Sequence, residues 1–139
     1  MLIGEYNYSM DEKGRLNFPA RFREQMGKEF VVTRWLDECL VAFPQSEWER
    51  ITGLLMSKSM VKTRDIQRFL FSAAEEVSPD KQGRILLGPT LRRHAKLEKE
   101  VTIIGVGNYA EIWDTAAWAA KQQALDTADI EAAMQELEF

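Results

Sequence analysis

The chain carries nearly the same motif twice, and that duplication constrains its fold more than any other feature. Asp11-Glu12-Lys13-Gly14-Arg15-Leu16 is answered 69 residues later by Asp80-Lys81-Gln82-Gly83-Arg84-Ile85. Three matching residues alone would mean little, but the correspondence continues. Pro19 aligns with Pro89 and Arg23 with Arg93 at an offset of 70. Val31-Val32-Thr33 with Val101-Thr102-Ile103, Phe43 with Trp113, and Trp48 with Trp118 keep that offset. One residue of slip just before the prolines is the only gap this alignment needs. A unit this long occurring twice is no solenoid period, which runs roughly 20–50 residues and recurs three or more times. It reads as a duplicated half-domain. Half of a 139-residue chain is near the size at which a lone core supplies only ~3–5 kcal/mol. The halves therefore pack together, or the chain oligomerises.

Each half repeats one plan of short strands and helices. Leu2 to Tyr8 alternates weakly and reads as a strand. Asp11 to Gly14 is a polar turn with a glycine, and Leu16 to Phe18 is a second strand. Pro19 suits the first turn of a helix, which Gly27 would end. Phe30 to Arg34 and Leu40 to Phe43 form a hairpin around Leu36 to Cys39, and Gln45 opens a helix with Trp48, Ile51, Leu54 and Leu55 at helical spacing. In the second half a strand is expected near Phe71 to Val77, another at Arg84 to Leu87, and a helix from Pro89. A hairpin of Val101–Val106 with Ala110–Trp113 follows, then a helix over Thr115–Leu125 capped by Asp114 or Thr115. Met56 to Arg68 reads as a linker beginning a helix at Thr63, its basic residues on a solvated face. Thr127 to Phe139 reads as an amphipathic helix with Ile130, Met134 and Leu137 on one side, suited to docking on the body or on a neighbouring subunit. The domain boundaries expected are 1–62, 63–120 and an acidic helical tail at 121–139.

Charge is distributed unevenly. The chain has 18 Lys and Arg against 22 Asp and Glu, a net charge of −4, which taken alone argues against a polyanionic partner. The tail from Lys121 onward, however, takes one of the bases and five of the acids, leaving the remainder balanced. Two windows of that remainder are strongly basic. Lys13 to Lys28 holds Lys13, Arg15, Arg21, Arg23 and Lys28 against Glu24. Lys81 to Lys99 holds Lys81, Arg84, Arg92, Arg93, Lys96 and Lys99 against Glu98.

These windows contain the candidate site. Gly14 and Gly83 stand where a strand reverses and a positive φ is cheap only for glycine. Asp11 and Asp80 begin the turns, where a carboxylate accepts backbone N–H bonds and orders the loop. Arg15 and Arg84 follow directly, with planar, permanently charged forks suited to phosphate or guanine edges. The competing interpretation is that each Asp and Arg simply form an ion pair within the loop, worth under about 1 kcal/mol at a surface. Two such loops in a duplicated fold would present paired cationic surfaces to duplex DNA.

Other chemistries find little to work with. Cys39 is the only cysteine and His94 the only histidine, so no disulfide within the chain and no usual zinc spacing is expected. No serine lies in G-x-S-x-G and no P-loop is present. Gly105-Val106-Gly107-Asn108 leads into a strand rather than a helix and reads as a hairpin turn. Cys39 beside Glu38 reads as buried and inert. His94 ends a basic helix and reads as solvated or capping, and the four tryptophans read as core. No catalytic constellation, metal or cofactor is expected. The start lacks a basic n-region and no stretch is long enough to span a bilayer, giving the expectation of a cytoplasmic protein with no membrane partner.

Together Gly4-Glu5-Tyr6, the segment Asp11 to Pro19, the second motif Asp80 to Leu86, Ile103 to Gly107 and Glu111-Ile112-Trp113 resemble the MraZ family. The resemblance covers Met1 to about Leu125. It implies an α+β, β-rich fold in which two SpoVT-AbrB-type half-domains interleave as a swapped-hairpin β-barrel, with flanking short helices and a helical tail. It implies a bacterial repressor, nucleoid-associated, acting on short direct DNA repeats upstream of its own division and cell-wall gene cluster, and assembled into a ring-like homo-oligomer. Within the family the D-x-x-x-R motifs are tied to DNA binding, which carries over to Asp11 with Arg15 and Asp80 with Arg84. The expected DNA contacts are then Lys13, Gly14, Arg15, Arg21, Arg23, Lys81, Gly83, Arg84, Arg92 and Arg93, with Asp11 and Asp80 ordering the loops. Leu87-Gly88-Pro89 departs from the family's apolar-proline pattern and bears on how the second helix is entered. The alternatives are a ring-forming interaction module that binds no nucleic acid, and an antitoxin of the same fold.

Overall fold

A computed structural model describes all residues 1–139. The first repeat contributes β1 (Glu5–Ser9), β2 (Arg15–Asn17), α1 (Ala20–Met26), β3 (Phe30–Arg34), β4 (Leu40–Pro44) and α2 (Gln45–Met56). After α3 (Met60–Phe71), the second contributes β5 (Glu75–Val77), β6 (Arg84–Leu86), α4 (Pro89–His94), β7 (Glu100–Gly105), β8 (Ala110–Asp114) and α5 (Thr115–Gln123). Helix α6 (Thr127–Glu136) follows. The α+β, strand-rich, duplicated fold is as expected, and both hairpins form where their β-branched and aromatic runs lie. Asp114 accepts the Ala117 N–H and caps α5 as foreseen.

The repeats do not fold side by side. They exchange strands. The main sheet runs β1-β7-β8-β4-β3-β5, and β2 pairs with β6 in a two-stranded ribbon. Thus β1 of the first repeat pairs with the hairpin of the second, and β5 of the second pairs with the hairpin of the first. Each ladder is antiparallel, and two registers mark an approximate two-fold axis. Leu16 lies opposite Ile85 in the ribbon, and Val41 opposite Glu111 where β4 meets β8. In both cases a residue faces its own counterpart in the other repeat.

The core follows from this exchange. One cluster of 21 buried residues takes Leu16, Phe18, Phe22 and Phe30 from the first repeat and Ile85, Leu87, Leu91 and Val101 from the second. Phe18 packs on Phe30 with ring centroids 4.8 Å apart, and Tyr6 meets Phe22 edge-on at 5.2 Å. No helix is long and apolar enough to cross a membrane.

Several sequence expectations need correction. The slip between repeats is placed differently by the geometry. Pro19 is the N-cap of α1, whereas Gly88 is the N-cap of α4 and Pro89 its first residue. Proline is tolerated at either place, so matching the two prolines misaligned the helices by one. The true counterpart of Arg23 is Arg92, at an offset of 69. Phe30 then matches Val101 at 71, while Phe43 with Trp113 and Trp48 with Trp118 hold at 70. The Gly88 N–H donates to Glu75 Oε1 at 3.0 Å, which fixes the entry to α4.

The expected linker is largely helix. α3 begins at Met60 rather than Thr63 and continues through Phe71, so the following strand is only Glu75–Val77. Tertiary anchoring of its last turn accounts for the extension to Phe71. Thr33 Oγ1 donates to the Leu70 carbonyl, Arg34 Nε donates to the Phe69 carbonyl at 2.9 Å, and the Arg34 guanidinium lies 4.7 Å from the Phe69 ring. The boundary expected at 62/63 falls inside α3. β1 starts only at Glu5, with Leu2 making an isolated bridge to Gly107. His94 is half-buried rather than solvated, with Nε2 3.0 Å from the Trp35 carbonyl and its ring edge-on to Phe69. The tail helix does not dock on its own body: residues 127–139 are exposed throughout.

Because both repeats share one core, Phe22→Ala should destabilise the entire chain by about 3–5 kcal/mol. Chemical denaturation followed by tryptophan fluorescence and by circular dichroism should show one coincident transition, with no separately melting half.

Candidate nucleic-acid interface

The ribbon sits on the two-fold axis, and its pleat sorts its side chains. Successive residues of a strand point to opposite faces, so Leu16 and Ile85 enter the core, both essentially inaccessible. Arg15 and Asn17 of β2, with Arg84 and Leu86 of β6, therefore share the outward face. Arg15 lies opposite Leu86 and Arg84 opposite Asn17. The two arginines are thus diagonal neighbours with backbones roughly 7–8 Å apart. The structure brings them together.

Each arginine is held by the aspartate of its own turn. Asp11 Oδ1 accepts the backbone N–H groups of Lys13 and Arg15, both at 2.9 Å, and Oδ2 accepts Arg15 Nε at 2.6 Å. Asp80 repeats the pattern: Oδ1 accepts from Gln82 and Arg84 N–H at 2.9 Å, and Oδ2 from Arg84 Nε at 3.1 Å. The ion pair within the loop thus exists in both repeats. It engages only Nε, and the terminal Nη nitrogens of Arg15 and Arg84 make no hydrogen bond within the chain. The two arginine side chains stay 40% and 31% exposed. The pairing leaves the tip of each fork directed and available.

The turns are locked from across the molecule. Gly14 and Gly83 have φ of +90° and +79°, the left-handed region that side chains other than glycine's enter only at a cost. The Phe18 N–H donates to the Gly83 carbonyl and the Leu87 N–H to the Gly14 carbonyl, both at 2.9 Å. Arg23 donates Nε to the Phe18 carbonyl and lays its guanidinium over Gly83. Arg92 donates Nε to the Leu87 carbonyl and covers Gly14. The helix of each repeat thereby braces the turn of the other. Arg23 and Arg92 are committed through Nε to this bracing, whereas Arg21, Arg93, Lys13 and Lys81 are exposed. Gly14 and Gly83 are buried beneath the arginines. Beside the ribbon's second half, Arg92, Arg93, Lys96 and Pro89 line a shallow hollow of about 460 Å³.

Sequence reasoning missed Asn17 and Leu86. They are counterparts under the two-fold axis, yet one is an amide and the other an apolar side chain left 57% exposed. Only the ribbon's register reveals that they flank the arginines on one face. Elsewhere the chain offers little chemistry. Cys39 is buried, and burial together with Glu111 and Asp37 pushes its thiol far above its ordinary range. No group of three or more His, Cys, Asp or Glu side chains is arranged to hold a metal ion.

Fold and site define a class: a duplicated, strand-exchanged β-rich domain carrying twin Asp-braced arginine turns on its two-fold axis. The chain belongs to the MraZ family, described as "MraZ protein, putative antitoxin-like", which matches residues 1–69 and again 70–137. Its relatives include three proteins called Transcriptional regulator MraZ. That of Carboxydothermus hydrogenoformans is 48% identical over 120 residues, 85% of this chain and 84% of that protein. That of Heliobacterium modesticaldum is 48% identical over 121 residues, covering 86% and 85%. That of Limosilactobacillus fermentum is 44% identical over 126 residues, covering 89% and 88%. These are names of regulators and not of enzymes, in accord with a sequence that holds no catalytic constellation.

Two outcomes are expected here. Bonds from the Arg15 backbone and side chain lower the Asp11 pKa from the usual 3.8 to about 2, and Asp80 is lowered too, first by the Arg84 N–H. A depressed pKa means the ionised form stabilises the fold above the ordinary value, and that contribution is lost as pH falls. Carboxyl-detected NMR should place the Asp11 midpoint near 2, with loop order fading between about pH 4 and pH 2. Gly14→Ala should destabilise more than Gly83→Ala in urea titrations, although both add strain of about 1–2 kcal/mol. The added Cβ at Gly14 would meet the Leu87 carbonyl at 2.5 Å, whereas at Gly83 it meets the movable Arg23 tip at 2.7 Å.

Proposed function

We propose that this chain is a sequence-specific DNA-binding transcriptional regulator whose two-stranded ribbon enters the major groove. The observation that carries the reading is the shared outward face of Arg15 and Arg84, each oriented through Nε with its terminal nitrogens unengaged. The major groove admits a two-stranded β-ribbon, and arginine forks match guanine O6 and N7. Lys13 and Lys81 at the turns, Arg21 on α1 and Arg93 on α4 supply phosphate contacts, and Arg23 and Arg92 brace the turns while adding positive charge beside them. Asn17 suits an adenine edge and Leu86 a thymine methyl, so the two half-sites are read differently by otherwise equivalent halves. The acidic tail lies in sequence apart from the basic windows, so the net charge does not oppose this contact.

The finer reading is a cytoplasmic, nucleoid-associated repressor acting at the promoter of a division and cell-wall gene cluster, through short direct repeats upstream of its own gene. It is supported by family membership and by relatives named as transcriptional regulators. A homo-oligomer presenting several ribbons to successive repeats gains affinity through effective concentration.

Electrophoretic shifts on the chain's own upstream DNA test this. Arg15→Ala should weaken binding by about tenfold or more, given the ~1–3 kcal/mol of a bidentate base contact, while its thermal melt stays near that of the parent chain. The logarithm of affinity should fall steeply with the logarithm of salt. Unchanged binding by Arg15→Ala, or a flat salt dependence, contradicts the reading.

A further inference from the structure

The ribbon's backbone is two-fold symmetric and its outward face is not. Under the axis Arg15 exchanges with Arg84, and Asn17 exchanges with Leu86. Four side chains make up that face. The arginines are an identical pair, so Asn17 with Leu86 is its only mismatch. Leu86 is 57% exposed, and Asn17 is exposed too. The turn crests also differ, Glu12-Lys13 standing where the other repeat has Lys81-Gln82. Lysines at a crest meet phosphates, however, and phosphates fix position without carrying sequence.

The register decides which groups act together. Arg15 lies opposite Leu86, and Arg84 opposite Asn17. Side chains directly opposite have Cβ atoms about 4.5–5.5 Å apart, against ~3.4 Å between successive phosphates along a strand. Each arginine and its cross-strand partner therefore reach neighbouring base pairs. The end of the ribbon beside the Asp11–Gly14 turn offers a guanidinium fork with an apolar side chain. The end beside the Asp80–Gly83 turn offers a fork with an amide. A fork takes guanine, an amide takes adenine N6 and N7, and an aliphatic group takes the thymine methyl.

A symmetric face would fit a duplex equally in either direction, because two-fold symmetry in the protein is mirrored by a palindrome in the DNA. We propose that Asn17 and Leu86 give the ribbon its direction: they make its target non-palindromic and fix which way round the chain sits on it. This rests on the DNA-binding reading above and assigns its polarity to one pair of residues.

Selection from a duplex library with a randomised core of about one helical turn, ~10 base pairs, tests it on the full chain. The parent should enrich a sequence without two-fold symmetry. Leu86→Asn should enrich a palindrome with guanine and adenine at both ends, and Asn17→Leu a palindrome that has lost the adenine. Both positions are exposed, so circular dichroism should match the parent. A chain with both substitutions has its two ends exchanged and should enrich the parent's own sequence, bound in reverse. An iron–EDTA cleaver tethered to Thr90→Cys, at the exposed start of α4, reads that reversal, Cys39 being buried. Its cut should move to the two-fold-related position on the duplex. The assignment is overturned, and DNA binding left standing, by a palindrome from the parent or by a cut that stays in place in the exchanged chain. Single variants that keep the asymmetry, or that enrich no sequence, overturn it equally. A parent that enriches nothing overturns the DNA-binding reading itself.

Discussion

Everything in this structure depends on the pairing of Leu16 with Ile85 in a ribbon whose strands come from different repeats. Three residues per strand are far too few to persist alone. The ribbon survives because its inner face is part of the common core and its ends are tied by the Phe18–Gly83 and Leu87–Gly14 backbone bonds. The same exchange supplies β1 and β5 to the opposite hairpins. Neither repeat can complete its own sheet or bury its own aromatics, which is why half-domains of this size cohere without a disulfide or metal.

The same constraint shapes the site. An arginine on a mobile loop loses rotamer entropy when it binds, whereas one already held by its neighbour loses less. Asp11 and Asp80 provide that hold at the cost of offsetting part of the positive charge. The offset is modest because each pair is exposed to solvent, and the terminal nitrogens remain directed outward. Bracing by Arg23 and Arg92 makes the arrangement mutual, since each turn is positioned by the helix of the other repeat. A protein of net negative charge thus concentrates oriented cations at its two-fold axis and carries its excess acid on a separate helix.

Much of this was legible in the sequence, and what was missed has physical reasons. The doubled Asp-x-x-Gly-Arg, both hairpins and the Asp114 cap are local patterns, and local patterns survive in one dimension. The Asp11–Arg15 contact was visible for the same reason. The helix offset was misread because Pro19 and Pro89 share an identity but occupy neighbouring positions, and side-chain identity does not report cap geometry. α3 runs on to Phe71, where a strand was expected to begin, because contacts from Arg34 and Thr33, thirty-odd residues away, anchor its last turn. Asn17 and Leu86 carry no signal of their own. Their importance comes from a register between strands 69 residues apart, and only the folded chain contains that register.

The central claim is that both repeats contribute one arginine to a single face that meets the same ligand. Nitrogen-resolved NMR of the arginine Nε–H groups during titration with the upstream duplex addresses it most directly. The account predicts that the Arg15 and Arg84 resonances shift together, with the same dependence on DNA concentration. If one or both stay in place while resonances on another surface move, the shared-face account is wrong.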